Sequence, residues 1–382
     1  MSENRILTTH VGSLPRPEAL LAIMRDKAEG RDFDTAGLDA TLRESVCDIV
    51  QRQVDAGIDI VSDGEFSKPS YATYVSERLS GFGGKGALNA AADLSEYRSY
   101  AAHLVKIGGV IPSGYGSCCQ GPVAVKDTTG LEADLANLKA AVDAAGPNGA
   151  FMNAASPGVV AIFQKNEYYP NEDDYIEAVA EALRGEYEAI VEAGFLLQVD
   201  SPDLAMGRHL AFPDLSDDEF LKVIDRNVEA LNHALRNIPA ERLRMHLCWG
   251  NYPGPHHRDI PLAKIADRVF RARPRHILLE GANPRHGHEW AVFETFDLPE
   301  DKVLVPGVID STSNYIEHPE LVADRLLRYA NVVGRDRVMA GTDCGYSTFM
   351  EVPTVWPDIV WGKMESLVEG ARIASARLWP AA

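Results

Sequence analysis

The stretch 243-LRMHLCWGN-251 is an apolar run that ends in a Trp-Gly-Asn tail, the pattern of a buried β-strand that leads into a loop. Seven similar runs occur along the chain, at 5-RILTTHVGSL-14, 58-IDIVSDGEF-66, 150-AFMNAASP-157, 195-FLLQVDSP-202, 276-HILLEGAN-283, 302-KVLVPGVID-310 and 337-RVMAGTDCG-345. Amphipathic stretches of helical period lie between or after many of them, at 37–57, 173–194, 217–235, 319–334 and 358–377. Eight strands that alternate with helices predict a parallel α/β sheet, and the number eight favours a closed (β/α)8 TIM barrel over an open sheet.

One segment, from about 67 to 132, interrupts this alternation. It contains the glycine-rich stretch 81-GFGGKG-86 and shows no clear helical period. We therefore expect a β-rich insertion after strand 2, near the mouth of the barrel. No linker, low-complexity tract or internal repeat indicates a second domain, so the sequence predicts that residues 1–382 form a single barrel domain.

The composition is that of a soluble globular protein and argues against several function classes. The 382 residues include 37 basic and 56 acidic side chains, a net charge of −19, with no basic stripe that would favour nucleic acid. Apolar runs such as 104-LVKIGGVI-111 are far shorter than the roughly 20 residues that a membrane span needs. Five cysteines and no pattern of a secretory signal lead us to expect a reduced, cytoplasmic protein. The sequence does not decide whether the chain forms a homo-oligomer.

Chemically distinctive side chains fall at the carboxyl ends of seven of the eight predicted strands. They are Ser13, Glu65, Asp200, His246 with Cys248, Glu280, Asp310 and Cys344. Any one of them could simply cap the following helix. Active sites of (β/α)8 barrels lie at this end of the strands, however, and the joint placement therefore predicts a catalytic centre there.

Four of these residues have the spacing of a metal site. His246 and Cys248 are two residues apart on one predicted strand, so both side chains point to the same face. Glu280 ends the next strand, and Cys344 ends the eighth, so whole βα units separate the three positions. Two thiolates, an imidazole and a carboxylate suit Zn²⁺. The alternative is that the cysteines are buried as small hydrophobic residues, the histidine is a core residue and the glutamate caps a helix.

These motifs, together with 9-THVGSLPRP-17 and 342-TDCG-345, resemble the catalytic C-terminal barrel of the cobalamin-independent methionine synthase family. The resemblance covers essentially the whole chain but not the family's duplicated N-terminal barrel. The chain is thus similar to a shorter, single-barrel branch, and also to epoxyalkane:coenzyme M transferase. The resemblance implies that zinc, held by His246, Cys248, Glu280 and Cys344, binds a substrate thiol as a thiolate, which is then alkylated, most simply by a methyl group.

Zinc would supply the activation that such a reaction needs. A free thiol, with a pKa of about 8.5, is mostly protonated at neutral pH, whereas metal coordination deprotonates it. Four protein ligands close the coordination shell, so we expect one of them to yield to the substrate. Glu280 is the expected one, because its oxygen is the hardest ligand for an ion that accepts sulfur readily.

The resemblance also implies roles for other residues. Ser13 and Glu65 match positions that hold the amino-acid part of homocysteine, and Asp200 matches a strand-end aspartate of the family. We assign catalytic roles to Asp200 and Asp310, and substrate contacts to Ser13, Glu65, Asp200, Tyr115, Phe163 and His209. The expected partners are a small-molecule thiol, homocysteine or a relative of it, and an alkyl donor.

The sequence departs from the synthases at three places. Ser201 follows Asp200 where the synthases have glutamate, which removes one partner for an ammonium group. Thr312 stands where the synthases have the histidine that acts as the acid, and a threonine hydroxyl does not ionise near neutral pH. Phe163 replaces a tryptophan that stacks on folate. The donor could therefore be methyl-folate, methylcobalamin or another electrophile.

Polar loop residues offer replacements for the missing groups. Proton donors could come from His209, His256, His257, His286 and His288, and an anionic substrate could be held by Arg16, Arg208, Arg258 and Arg285. An arginine cluster would favour a sulfonate thiol, whereas Asp200 together with Glu65 would favour an amino-acid thiol.

Three rival functions stay open at this point. The first is addition of a thiol to an epoxide, or the reverse C–S cleavage, with a loop histidine or Tyr115 as proton donor. The second is a metal-free barrel that resembles uroporphyrinogen decarboxylase. The third is a non-catalytic module that binds a thiol or a corrinoid and carries a structural zinc ion.

Overall fold

The apolar runs form the wall of the barrel. In the computed structural model, which describes residues 4–86, 91–106, 116–350 and 354–380, the strands are β1 (Ile60–Val61), β2 (Phe82–Gly83), β3 (Cys118–Cys119), β4 (Gly149–Ala155), β5 (Leu196–Asp200), β6 (Leu243–Leu247), β7 (His276–Leu279), β8 (Val303–Ile309) and β9 (Gly341–Thr342). All except β2 and β3 form one parallel sheet, in the order β1-β4-β5-β6-β7-β8-β9. The strands β4 to β8 are almost entirely buried, as parallel strands covered on both faces should be.

The first predicted strand closes this sheet, although it forms only two bridges. Thr8 pairs with Ala340, next to β9, and Thr9 pairs with Ile60 in β1, both in parallel. The Thr9 amide donates to the Ala340 carbonyl at 2.9 Å, and the Ile60 amide donates to the Thr8 carbonyl at 3.1 Å. Residues 8–9 thus join the two edges of the sheet, which confirms the predicted eight-membered barrel.

The helices follow the strands in the predicted alternation. They are α1 (Glu18–Ala28), α2 (Thr35–Asp55), α3 (Val75–Arg78), α4 (Ala92–Glu96), α5 (Arg98–Lys106), α6 (Thr129–Ala145), α7 (Pro157–Phe163), α8 (Glu172–Glu192), α9 (Gly207–Leu210), α10 (Asp217–Ala234), α11 (Leu262–Val269), α12 (Pro319–Val333) and α13 (Pro357–Leu378). The five predicted amphipathic stretches are α2, α8, α10, α12 and α13. A capping box explains where α10 begins, because Ser216 accepts from the Glu219 amide while Glu219 accepts from Ser216. In the described part of the chain, no helix combines the length and the hydropathy that crossing a membrane requires.

The segment predicted as an insertion contains both short strands and short helices. β2 and β3 pair in antiparallel fashion, with Phe82 opposite Cys119. The helices α3, α4 and α5 also lie there, and helices of 4, 5 and 9 residues are too short to show a period in the sequence.

A buried arginine inside the barrel anchors the N-terminal segment. The Arg244 guanidinium on β6 donates to Thr9 Oγ1 at 2.9 Å and to the His10 carbonyl at 2.8 Å, and it lies 3.8 Å from the centre of the Phe151 ring. These contacts hold the chain that leads to Ser13 against the strand that carries His246.

Candidate active site

Three of the four predicted metal ligands converge at the carboxyl end of the barrel. The ligand atoms of His246, Cys248 and Cys344 all lie within 4.8 Å of one another, and the three residues are buried. Cys248 Sγ lies 3.8 Å from Cys344 Sγ, which is too long for a disulfide bond. Two thiolates bound tetrahedrally to zinc at about 2.3 Å are about 3.8 Å apart. The sulfur spacing therefore fits that ion.

Asp200, at the end of β5, orients His246 on the neighbouring strand. The two residues are partners in the sheet register, and Asp200 Oδ1 lies 3.5 Å from His246 Nδ1. His246 Nε2 is buried and has no hydrogen-bond partner among the described residues. Because imidazoles that bind metals usually present the other nitrogen to a carboxylate or carbonyl, Nε2 is the nitrogen that fits a metal ion.

Glu280 ends β7 but lies outside this group of three. Its Oε1 accepts from the Trp249 amide at 2.9 Å. Its Oε2 accepts from Asn283 Nδ2 at 2.7 Å and from Arg285 Nη2 at 2.5 Å. Burial alone would raise the pKa of Glu280, but the charges of Arg285 and His286 lower it to about 2. The carboxylate is thus ionised and fully engaged with protein donors.

Asp343 holds the loop that carries these donors. Its carboxylate accepts from the backbone amides of Gly281, Ala282 and Asn283 at 2.8–2.9 Å and from Asn283 Nδ2 at 2.7 Å. Burial and the charge of Glu280 raise the pKa of Asp343 to about 6. Asp343 immediately precedes Cys344, so these hydrogen bonds link the loop that follows Glu280 to the loop that carries the thiol.

A second buried carboxylate, Glu65, has the opposite environment. A Cβ built on Gly12 would lie 2.6 Å from Glu65 Oε1 and 2.4 Å from Asn153 Oδ1, so both oxygens border the same point. Glu65 Oε2 and Asn153 Oδ1 are buried without a hydrogen-bond partner among the described residues. Asn153 Nδ2 donates to Asp200 Oδ2 at 2.9 Å. Burial, followed by the charge of Asp200, raises the pKa of Glu65 to about 8.

Ser13 connects this acceptor pocket, formed by Glu65, Asn153 and Asp200, with the cysteine pair. A Cβ on Gly345 would lie 2.0 Å from Ser13 Oγ, so the serine hydroxyl borders the residue that follows Cys344. The Ser13 carbonyl accepts from the Tyr346 amide at 2.9 Å. Glu65 itself has a positive φ of 60°, a strained conformation for a residue other than glycine.

Two further predicted site residues, Asp310 and Phe163, have side-chain contacts of their own. The Asp310 carboxylate accepts from Thr312 Oγ1 at 2.8 Å and from Ser313 Oγ at 2.5 Å, so it is engaged with its own loop. Phe163 is buried at the end of α7, with its ring centre 5.7 Å from that of Tyr71 and 6.3 Å from that of Phe349. Tyr115 lies outside the described residues.

The loop arginines do not form an anion site. Arg16 donates to the backbone carbonyls of Glu65, Phe66 and Lys68 and to Ser347. Arg208 pairs with Asp217, Arg258 with Glu96, and Arg285 with Glu280. Each guanidinium therefore already has a protein partner.

The loop histidines divide into two groups. His257 and His288 are exposed, whereas His209, His256 and His286 are buried around Asp259. Burial alone would raise the pKa of Asp259, but its hydrogen bonds to His256 and His286 lower it well below its usual range. His209, predicted to contact substrate, is therefore part of a separate cluster.

Two residues near the centre escaped the sequence analysis. Asn153 lies within β4, where an amide carries no recognisable motif, and Tyr71 lies in the interrupted segment. Burial and then the charges of Cys248 and Cys344 raise the pKa of Tyr71 well above its usual value. A tyrosine two residues after a proline in a polar loop gives no sequence signal for this location.

Comparisons with known proteins agree with the fold. The family model for the catalytic domain of cobalamin-independent synthase matches residues 6–356. A methionine synthase of Saccharolobus solfataricus is 25% identical over 378 residues, which cover 97% of this chain and 95% of that protein. Among solved structures, a B12-independent methionine synthase of Shewanella sp. W3-18-1 in complex with selenomethionine aligns with a TM-score of 0.74 at 21% identity, covering 98% of this chain and 99% of that one. A putative vitamin-B12 independent methionine synthase of Listeria monocytogenes aligns with a TM-score of 0.67 at 19% identity, covering 99% and 100%.

Proposed function

The chain belongs to the family of cobalamin-independent synthase catalytic domains, and from this premise we propose that it transfers a methyl group to the thiol of homocysteine. In this proposal His246, Cys248 and Cys344 hold a zinc ion, and Ser13, Glu65, Asn153 and Asp200 hold the amino-acid part of the substrate. This chain covers 95% of each of two curated relatives that are named methionine synthase, which supports this reaction class.

One observation carries the choice of thiol. Glu65 Oε2 and Asn153 Oδ1 are buried acceptors without donors among the described residues, and the carboxylate of Asp200 lies next to them. An unpaired buried acceptor is costly, and an ammonium group would supply the missing donors. Each of the loop arginines discussed above already has a protein partner, so none is left to bind a sulfonate. The pocket therefore favours homocysteine over coenzyme M.

Different residues of the site would contribute to activation of the substrate thiol and to its positioning. A bound zinc ion would convert the substrate thiol into a thiolate at neutral pH. Asp200 holds His246 through Nδ1 and so leaves Nε2 for the metal. Arg285 and Asn283 keep the Glu280 carboxylate occupied, so a zinc ion held by His246, Cys248 and Cys344 would still have a position for the substrate sulfur. Glu65 would accept a hydrogen bond from the ammonium group and so hold the amino-acid end of the substrate.

Two features bear on the methyl donor: a group of aromatic rings, and the lack of an acidic side chain at position 312. Phe163, Tyr71 and Phe349 present neighbouring rings, and the Thr312 hydroxyl donates to Asp310. We therefore extend the proposal to a donor whose leaving group departs without a proton, such as a methylcorrinoid or a methylsulfonium compound. The thiolate gains the methyl group, and the leaving group takes the electron pair of the broken bond.

X-ray absorption at the zinc edge tests the proposal directly. Purified full-length protein is measured alone, with homocysteine and with coenzyme M, and the expected result is one additional sulfur ligand with homocysteine only. Methionine formation is then measured with methylcobalamin, a methylsulfonium compound and methyl-folate. Protein purified without chelators that contains no zinc, or that gains sulfur with coenzyme M but not with homocysteine, would overturn the proposal.

A further inference from the structure

A second group of potential metal ligands lies in the loops above the barrel. His209 is on the short helix α9, and His256 and Asp259 are in the loop that follows β6. One ligand atom of each residue lies within 4.8 Å of those of the other two. We call these three residues the loop cluster. It shares no residue with the group formed by His246, Cys248 and Cys344.

His256 presents one nitrogen to this cluster. Its Nε2 lies 3.0 Å from the Tyr252 carbonyl, which can only accept, so Nε2 carries a proton. Its Nδ1 lies 3.0 Å from Asp259 Oδ2 and 3.2 Å from Asp259 Oδ1. A neutral imidazole would place a lone pair there, facing a carboxylate. Either a second proton or a shared cation must relieve that repulsion.

His286 shows what a purely hydrogen-bonded histidine looks like at this place. Its Nδ1 lies 2.9 Å from Glu289 Oε2, and its Nε2 lies 3.1 Å from Asp259 Oδ2. Both nitrogens face carboxylates, so the ring is a cation that donates twice. Asp259 Oδ2 is thereby engaged by His286, which supports the carboxylate from behind, as partners of metal ligands do.

His209 is buried, but the hydrogen bonds of the described residues do not satisfy its ring nitrogens. It is 2% exposed, and neither ring nitrogen makes a hydrogen bond within the described part of the chain. Its Nδ1 nevertheless lies 3.3 Å from Asp259 Oδ1, at the centre of the loop cluster. Buried imidazoles normally have partners, so a donor or a cation is missing at this point.

We propose that His209, His256 and Asp259 bind a divalent transition-metal ion. This ion is distinct from the zinc ion proposed for His246, Cys248 and Cys344, which we call the cysteine centre. Such an ion would satisfy His209 Nδ1, His256 Nδ1 and Asp259 Oδ1 together, whereas a second proton on His256 would leave His209 without a partner. Two imidazoles disfavour Mg²⁺ and Ca²⁺, which prefer oxygen ligands. Two histidines and one carboxylate leave coordination positions open, as in metal centres that bind a further ligand.

Cobalt(II) titration of the full-length protein, stripped of metal with a chelator, separates the two sites. The cysteine centre gives a strong thiolate-to-cobalt absorption, whereas the loop cluster contains no sulfur. We expect uptake of two equivalents of cobalt, with the thiolate band complete after one of them. Plasma mass spectrometry of the protein as purified should likewise find two transition-metal ions per chain.

The variants His209→Ala and Asp259→Asn should each lose one equivalent and keep the thiolate band, which also shows that the barrel is folded. His257→Ala is the matched control, because this exposed neighbour of His256 pairs with Glu96 outside the cluster, and it should retain two equivalents. Uptake of one equivalent by the wild-type protein, or of two by both cluster variants, would overturn the proposal in favour of a metal-free hydrogen-bonded network. This result does not depend on the identity of the thiol substrate.

Discussion

Glu65 and Glu280 are two buried glutamates that follow strands of the same sheet, yet their surroundings are opposite. Glu280 accepts three hydrogen bonds, one of them from an arginine, and its pKa is lowered to about 2. Glu65 has an oxygen without a donor, and its pKa is raised to about 8. Protein donors thus satisfy the Glu280 carboxylate, whereas under the proposed function the donor to Glu65 comes from the substrate. The contrast distinguishes a carboxylate that supports the site from one that we propose recognises the substrate.

Loss of a proposed zinc ligand, which would affect the site that both glutamates serve, should have the largest effect. Cys344→Ala deletes one of the two sulfurs that lie 3.8 Å apart, and methyl transfer should fall at least about 100-fold, since loss of even an outer partner of a metal costs 10- to 100-fold. Zinc content and turnover are measured together. Cys47→Ala, a half-buried cysteine on α2, is the control and should keep both. Full zinc content in Cys344→Ala would contradict the assignment.

Loss of the ion pair between Arg285 and Glu280 should lower the stability of the protein. Arg285→Met leaves the Glu280 charge, which is 1% exposed, without its cation. The free energy of unfolding should fall by about 3 kcal/mol, the scale for removing one partner of a buried ion pair. Urea denaturation measures this change. The double variant Arg285→Met/Glu280→Gln should recover part of it, and no recovery would mean that the ion pair is not its source.

A change at Glu65 should instead weaken the binding of homocysteine. Glu65→Gln removes the carboxylate that the ammonium group of bound homocysteine would keep ionised, and the KM for homocysteine should rise about 10- to 100-fold, the range of one charge-assisted hydrogen bond. Binding of 3-mercaptopropionate, which has no ammonium group, serves as the matched control and should change little. An equal loss for both thiols would show that Glu65 acts on the fold and not on the ammonium group.

The raised pKa of Glu65 also predicts that stability changes with pH, and this effect is the smallest of the four when it is expressed per pH unit. Between the usual value of 4.5 and the folded value of about 8, the folded protein holds a proton that the unfolded chain has lost. Its contribution therefore makes the free energy of unfolding fall as pH rises through this window, by at most about 1.4 kcal/mol per pH unit. Denaturation of wild type and Glu65→Gln at pH 5, 6 and 7 measures it. Parallel curves for the two proteins would refute the shifted pKa.

Sequence patterns predicted the parts of the fold that repeat. The helices α2, α8, α10, α12 and α13 were found because each is long enough to show an apolar stripe. The first predicted strand, 5–14, proved to be two bridges, since its pairing depends on the distant edges Ile60 and Ala340 and not on local pattern. The short helices of the inserted segment have too few turns to show a period.

The site was predictable to the extent that it follows strand spacing. His246, Cys248 and Cys344 come together because whole βα units separate their strand ends. The orientation of Glu280 was not predictable, because it depends on Arg285 and on a loop held by Asp343. Asn153 was missed because an amide inside a strand carries no sequence motif, and only the fold places its side chain near Glu65 and Asp200.

The bridges at Thr8 and Thr9 have a consequence for the order in which the fold can form. Thr8 is translated long before its partner Ala340, so this bridge cannot form until the strands between them have been made. Contacts between residues so distant in sequence are slow to form, because a long loop must be closed first. Since Ser13 follows these bridges, we expect its position to be fixed only when the barrel closes.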